Sequence, residues 1–359
     1  MKINSNNGWD PLKDVIVGRA EHARTPDVDP SMRNFMYANK DYEDLYELPK
    51  QHNKKTINDA IEDLDLLSDT LTNLGVTVHR PNIHPHYKTI KSPFWETKGW
   101  YNYCPRDLIL VLNKTLIETP SSMRSRMFET WCYRDLMYEA FIDGANMISA
   151  PKPMLLDDAF DFSDLSKPTL MNNEILFDAA NIVRMGKDIL FQISNSGNRL
   201  GADWLQRTFP DYNIHTTVKS YSGAHIDSTI VPLRPGLVLL NADRTSKDSY
   251  PAIFKSWDKI FFNDWVNIDY EGTAVCENAI ALNLLSVKED LVIVEKAQLP
   301  LIKILEKHGI DCVGLQLRST RTLGGGFHCV TLDLNREGSL ESYFDYVKDV
   351  TEGNVVEKI

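Results

Sequence analysis

Three stretches of this 359-residue chain repeat one grammar, an apolar strand followed by a helix and a second strand, and that repetition restricts what the chain can fold into. Residues Lys187–Ile193 read as a strand, Leu200–Gln206 as a helix, and Tyr212–His215 as a second strand. Leu291–Glu295 starts another copy, whose helix from Pro300 to His308 stops at Gly309 before the strand Asp311–Leu317. Glycine there suits a left-handed helix end, and Lys307 and His308 suit the negative pole of the helix. In the third copy Ile57, Ala60, Ile61, Leu64, Leu67, Leu71 and Leu74 recur at helical spacing up to Gly75. Val76–His79 then alternates until Pro81, and the preceding strand is Asp14–Gly18, across a long polar insertion. Leu108–Leu112 and Gly236–Leu240 are further strand candidates. No low-complexity linker interrupts the pattern, so a single domain over residues 1–359 is expected, with the start at Asn4–Asn7 and the tail after Val350 loosely held.

The charge balance narrows the partners. Lys and Arg total 39 against 50 Asp and Glu, a net charge of −11, which argues against nucleic acid or an anionic membrane as the main partner. No run of apolar residues is long enough for a membrane span, and the amino terminus lacks the apolar core of a secretory signal. The five cysteines, Cys104, Cys132, Cys276, Cys312 and Cys329, are scattered and form no Cys-x-x-Cys pair. A reduced, cytoplasmic setting fits that usage. No Gly-x-Gly-x-x-Gly or Gly-x-x-x-x-Gly-Lys-Ser/Thr motif points to nucleotide chemistry.

The chemistry concentrates near the carboxyl end. Gly324-Gly325-Gly326-Phe327-His328-Cys329 places a cysteine behind three glycines, where backbone geometry outranks packing. By itself the stretch fits a glycine turn before a buried, inert cysteine better than a nucleophile. Other polar groups border apolar runs: Asp107 before Leu108–Val111, Asp178 in Glu174–Asn181, and Arg244 after Leu237–Leu240. His225 and Asp227 stand two apart, which on an extended chain sends both to one face. Each has a plainer reading, since an Asp after a strand is usually a cap or turn residue. His84-Pro85-His86 reads as a turn, and Arg124-Ser125-Arg126 as a solvated or ion-paired face. Taken together, a thiol, an imidazole, an orienting carboxylate, two further carboxylates and an arginine make a set suited to a guanidino amino acid.

These residues lie in motifs that resemble the amidinotransferase family of glycine and inosamine-phosphate amidinotransferases. The resemblance runs from Asn7–Gly18 through Cys104–Asp107, Arg124–Arg126, Ala150–Pro153 and Phe177–Ala180 to His225–Thr229 and Leu323–Cys329. It implies a pentein α/β propeller, five pseudosymmetric ββαβ modules around one centre. It also implies that Cys329 is the nucleophile, His225 the general acid and base, and Asp178 its orienting carboxylate. Asp107 and Asp227 match the guanidinium-binding carboxylates and Arg244 the anchor for the donor's carboxylate. The implied reaction is ping-pong transfer of the amidino group of L-arginine to an acceptor amine through an amidino-cysteine, with release of L-ornithine and without metal or organic cofactor. A homodimer is the default expectation.

Two points depart from the pattern or leave it open. Where the family often has serine, Val275-Cys276-Glu277-Asn278 carries Glu277. The wording is nearest to the inosamine-phosphate branch, especially over Ser194–Gln206 and Asp227–Leu239, so an inosamine phosphate or another secondary-metabolite amine is the expected acceptor. The small, polar Ser220–Ala224 segment suggests a roomier acceptor pocket than that of the glycine enzyme. Transfer to L-lysine or glycine, hydrolysis in the manner of arginine deiminase, and a non-catalytic scaffold are the competing readings.

Overall fold

A computed structural model describes residues 1–218 and 223–344. Ser220–Ser222 of the expected acceptor segment and the tail after Val350 lie outside the described residues. The described residues form five three-stranded sheets and one separate two-stranded ribbon. Each three-stranded sheet combines an antiparallel pair with a parallel pair. Four of them carry an α-helix in the connection to the parallel strand, which a parallel crossover requires in some form.

The three modules legible in sequence are all present. Asp188–Gln192, the helix Arg199–Thr208 and Asn213–Thr217 form one, completed by Ile182–Met185. Leu291–Glu295, the helix Leu299–Lys307 and Asp311–Leu315 form another, with Leu285–Lys288. The third has Leu12–Val17 at its centre, parallel to Thr77–His79 after the helix Lys54–Asn73. Its antiparallel partner is Thr331–Arg336 from the far end of the chain, so the first module is closed by the last strand. Gly75 and Gly309 end their helices with φ of +83° and +74°. The remaining modules contain the other two strand candidates. Ile109–Leu112 pairs with Thr115–Glu118, and Leu237–Asn241 pairs with Ile230–Arg234 and Asp258–Phe262.

Packing arranges these modules in a ring. Each of five buried apolar clusters joins two neighbours. Val15 and Val17 pack with Leu285 and Ile293, while Ile16 and Leu332 pack with Ile109 and Val111. Leu110 and Ile117 share a cluster with Ile189 and Phe191, and Val183 and Leu190 with Val238 and Leu240. Leu237 and Leu239 meet Val292 and Val294 and close the circle. Successive residues of one strand therefore serve opposite neighbours, as the alternation of a pleated strand demands. This is the five-bladed pentein propeller that the resemblance implied.

A charged hub ties the ring together. The carboxylate of Asp333, fully buried, pairs with Arg106 at 2.5 Å, Arg184 at 2.6 Å and Arg336 at 2.7 Å. Burial works against its ionisation, but the three guanidiniums outweigh it and hold its carboxyl well below the usual carboxylate range. The arginines come from three different modules, so one acid fixes their mutual orientation.

Candidate active site

The polar residues singled out in sequence meet at one end of this ring. Cys329 lies in the turn that leads from the short helix Thr320–Leu323 into Thr331–Arg336. The three glycines before it serve different purposes. Gly324 adopts φ +77° at the helix end. Gly325 and Gly326 are needed for space: a Cβ on the first would sit 2.5 Å from Cys104 Sγ, and on the second 2.7 Å from Asn283 Cβ and 2.8 Å from its carbonyl oxygen. Cys329 is buried, its N–H donates to Asn283 Oδ1 at 2.8 Å, and its thiol donates to Asp227 Oδ2 at 3.4 Å.

His225 and Asp227 do share a side, but not through an extended strand as the spacing suggested. They flank Ile226 in a turn closed by bonds from the N–H groups of Thr229 and Ile230 to the Ile226 carbonyl. Ile226 is fully buried between two modules, and that anchor turns its polar neighbours toward the site. His225 Nε2 lies 3.0 Å from Asp178 Oδ2, and His225 Nδ1 lies 3.6 Å from Asp107 Oδ1. Asp178 precedes the 3₁₀ turn Ala179–Asn181 without capping it, so its carboxylate is left for the imidazole. Asp107 ends the 3₁₀ turn Pro105–Asp107. Its Oδ2 is held by Arg126 at 2.6 Å, whereas Oδ1 is buried without a hydrogen bond. Asp178 Oδ1 is in the same condition.

The electrostatics follow from three carboxylates around one imidazole and one thiol. Burial opposes a charged His225, yet Asp107, the hydrogen bond to Asp178 and the charges of Asp178 and Asp227 raise its pKa above the ordinary histidine value. Cys329 is held well above its ordinary value by its hydrogen bond to Cys104, by burial, and by Asp227 and Asp107. Burial alone would raise Asp227, but the His328 contact prevails and brings it to about 2. His328 in turn is depressed to about 4 by burial and by Arg106. A neutral His328 therefore donates Nδ1–H to an ionised Asp227, at 2.8 Å. The site pairs a protonated thiol with an imidazolium-prone histidine and with the unpartnered carboxylate oxygens of Asp107 and Asp178. Such a site accepts a planar cation beside a sulfur.

Arg244 follows the strand Leu237–Asn241 and donates to Ser228 Oγ at 3.1 Å and Thr229 Oγ1 at 2.9 Å, directly beyond Asp227. Its Nη2 lies 3.2 Å from Glu277 Oε2. All six residues named from the sequence thus lie in one neighbourhood. Sequence reasoning missed Asn283 and His328 as contributors, although His328 stands inside the Gly324–Cys329 stretch. It also read Arg126 among the surface-like alternatives. Arg126 is completely buried and joins Asp107 to Glu129, at 2.9 Å from the latter. The polar insertion covers the site from outside: Phe35, on the helix Pro30–Met36, meets the His225 ring edge-to-face at 5.2 Å. Asn34 clamps that helix by exchanging hydrogen bonds with Asn195, at 2.7 and 3.0 Å.

Among the described residues no helix is long and apolar enough to cross a membrane, and no group of three or more His, Cys, Asp or Glu is arranged to hold a metal ion. No family model matches the chain. Inosamine-phosphate amidinotransferase 1 of Streptomyces griseus is 45% identical over 337 residues, covering 93% of this chain and 97% of the relative. L-arginine:L-lysine amidinotransferase of Pseudomonas savastanoi pv. phaseolicola is 34% identical over 350 residues, with 95% and 96% covered. The solved structure of the inosamine-phosphate amidinotransferase of S. griseus superposes with a TM-score of 0.93 at 44% identity, over 96% of this chain and 99% of that one.

Proposed function

The chain belongs to the amidinotransferase family, and from that premise we propose that Cys329, His225 and Asp178 carry amidino transfer from L-arginine to an amine. The observation that supports the assignment most is the convergence of His225 with Asp178 at 3.0 Å and with Asp107 at 3.6 Å, beside a thiol already bonded to Asp227. Asp107 and Asp227 grip the guanidinium of arginine, and Arg244 takes its carboxylate. The whole of residues 1–359 acts as one catalytic domain in this reading, as a cytoplasmic homodimer.

The resting charges explain why substrate starts the reaction. The Cys104 hydrogen bond, burial and the field of carboxylates on two sides keep Cys329 a thiol. A guanidinium between Asp107 and Asp227 cancels that field, so the thiol loses its proton to solvent and the thiolate attacks the guanidinium carbon. Protonated His225, oriented by Asp178 at Nε2, gives its Nδ1 proton to the departing nitrogen, and L-ornithine leaves with a neutral side-chain amine. The amidino group remains on sulfur. The acceptor amine then attacks the same carbon, neutral His225 takes its proton, and the carbon–sulfur bond breaks to restore thiolate and imidazolium. Phe35 over His225 and the buried position of Cys329 keep water from the intermediate.

The acceptor in this proposal is an inosamine phosphate or another secondary-metabolite amine, a reading supported by the name of the relative at 45% identity. The L-lysine name of the relative at 34% keeps an amino-acid acceptor as the alternative. Incubation with L-arginine and a panel of amines tests both. Ornithine with a guanidino product from one amine identifies the acceptor, whereas citrulline and ammonia without amine dependence would establish a hydrolase. Cys329→Ala must abolish both ornithine release and the amidino adduct seen by intact mass.

A further inference from the structure

The pair formed by Arg244 and Glu277 stands where the proposed reading places the far end of the donor. The side chain of Arg244 and the backbone that carries Glu277 are both held by their surroundings. Arg244 is held by two hydroxyls of Ser228 and Thr229, and its side chain is only 11% exposed. Glu277 sits on a strap that Arg321 pins from both sides. Arg321 Nε donates to the Cys276 carbonyl and its Nη1 to Asn278 Oδ1, each at 2.6 Å, and its own carbonyl accepts from Val275 N. Glu277 precedes the 3₁₀ turn Asn278–Leu282 but does not cap it, so no local task uses its carboxylate. The same turn leads to Asn283, which holds the N–H of Cys329.

A carboxylate beside the anchor for a carboxylate is unfavourable unless the ligand also brings a positive charge. A donor carrying only a carboxylate would take over the guanidinium of Arg244 and leave Glu277 facing a second anion. An α-amino acid removes that conflict, since its ammonium and carboxylate sit on one carbon, at the separation of a paired guanidinium and carboxylate. We infer that Arg244 and Glu277 form a two-charge clamp in which Glu277 binds the α-ammonium of the donor and so makes the enzyme specific for free α-amino acid donors. This rests on the reading of Arg244 as the donor's carboxylate anchor. The opposing account is an ordinary surface ion pair, because 77% of the Glu277 side chain is exposed and such pairs contribute little.

Donor analogues separate the two. With L-arginine and with 5-guanidinopentanoate, which lacks only the α-amino group, initial rates of transfer to a fixed amine are compared in wild type, Glu277→Gln and Glu277→Asp. The clamp predicts that Glu277→Gln raises KM for L-arginine by about tenfold or more, as loss of a charge-assisted hydrogen bond does. It predicts little change in kcat, no such increase for 5-guanidinopentanoate, and partial recovery in Glu277→Asp. An arginine-to-analogue preference that stays within about twofold of wild type in Glu277→Gln, while arginine still forms the Cys329 adduct, overturns the clamp and leaves the transfer reading intact. Failure of wild type to form any amidino adduct from L-arginine removes the transfer reading and the clamp with it. Arg244→Gln, which weakens both donors alike, marks the loss of the carboxylate anchor.

Discussion

The backbone N–H of Cys329 donates to the side chain of Asn283, at Oδ1 and 2.8 Å, and so ties the nucleophile's turn to the end of the 3₁₀ turn Asn278–Leu282. The N–H is buried, so without Asn283 it has no partner and costs about 1–3 kcal/mol. Asn283→Ala is expected to lower the denaturation midpoint and to slow formation of the amidino adduct. Asn283→Asp keeps an acceptor for the N–H but adds a negative charge beside a thiol that the Cys104 hydrogen bond, burial, Asp227 and Asp107 already hold high. It should therefore preserve stability better than alanine yet shift the thiolate titration upward, measured by iodoacetamide alkylation against pH. Equal behaviour of the two variants would contradict the separation of support from charge.

Gly326 tests how tightly the turn is packed. An added Cβ meets the backbone oxygen of Asn283, which cannot swing away as a side chain would. That carbonyl also accepts from His328 N at 3.1 Å. Gly326→Ala should displace the Cys329 turn and reduce turnover by roughly a hundredfold, since catalysis depends on alignment to within about an ångström. Gly324→Ala meets a side-chain methyl of Val275 at 2.7 Å rather than backbone and adds the cost of its positive φ, about 1 kcal/mol, so it should lower stability with a smaller loss of activity than Gly326→Ala. Activity assays and thermal melts of both variants check the ranking.

The parts of the fold that were legible in sequence are those with a helix of clean apolar stripe. Leu64, Leu67 and Leu71 are fully buried on one face of Lys54–Asn73, and their spacing alone announced it. The module around Leu237–Asn241 was reduced to one strand because its crossover holds only the 3₁₀ turn Ala252–Phe254. The module around Ile109–Leu112 was obscured because its helix Arg134–Ile142 exposes Tyr138, Phe141 and Ile142. In the site, the reactive groups were named from motifs that resemble a known family, whereas their supports were not. Asn283 acts on a residue 46 positions away and Arg126 on one 19 away, and no local pattern encodes either contact. A buried arginine cannot be told from a solvated one until the walls around it are known.

Asp178 sets the proton chemistry of His225. Its hydrogen bond and its charge both raise the histidine's pKa, after Asp107 as the leading charge. Asp178→Asn keeps a polar partner without the charge, so the pKa of His225 falls. Because departure of ornithine needs protonated His225, activity is lost as pH rises through that pKa. The alkaline limb of kcat/KM should therefore move to lower pH in Asp178→Asn, with kcat reduced roughly a hundredfold or more, as for other orienting carboxylates. An unchanged limb would assign it to another group.

Asp333 supports the same site through its arginine partners. Arg106, one of its three partners, donates through Nε to the carbonyls of His328 and Thr331, both at 2.9 Å, on either side of Cys329. Asp333→Asn would leave Arg106, Arg184 and Arg336 buried without their shared counter-charge, and breaking a buried pair costs about 3–5 kcal/mol. The depressed pKa gives the sign of the pH effect. Its folded value lies below that of the unfolded chain, so this contribution is complete above the unfolded carboxylate value and disappears as pH falls through the folded one. Wild type and Asp333→Asn should differ most in urea midpoint near neutral pH, and the gap should narrow in strong acid. A gap that stays constant below the ordinary carboxylate range would show that the loss comes from packing rather than from charge.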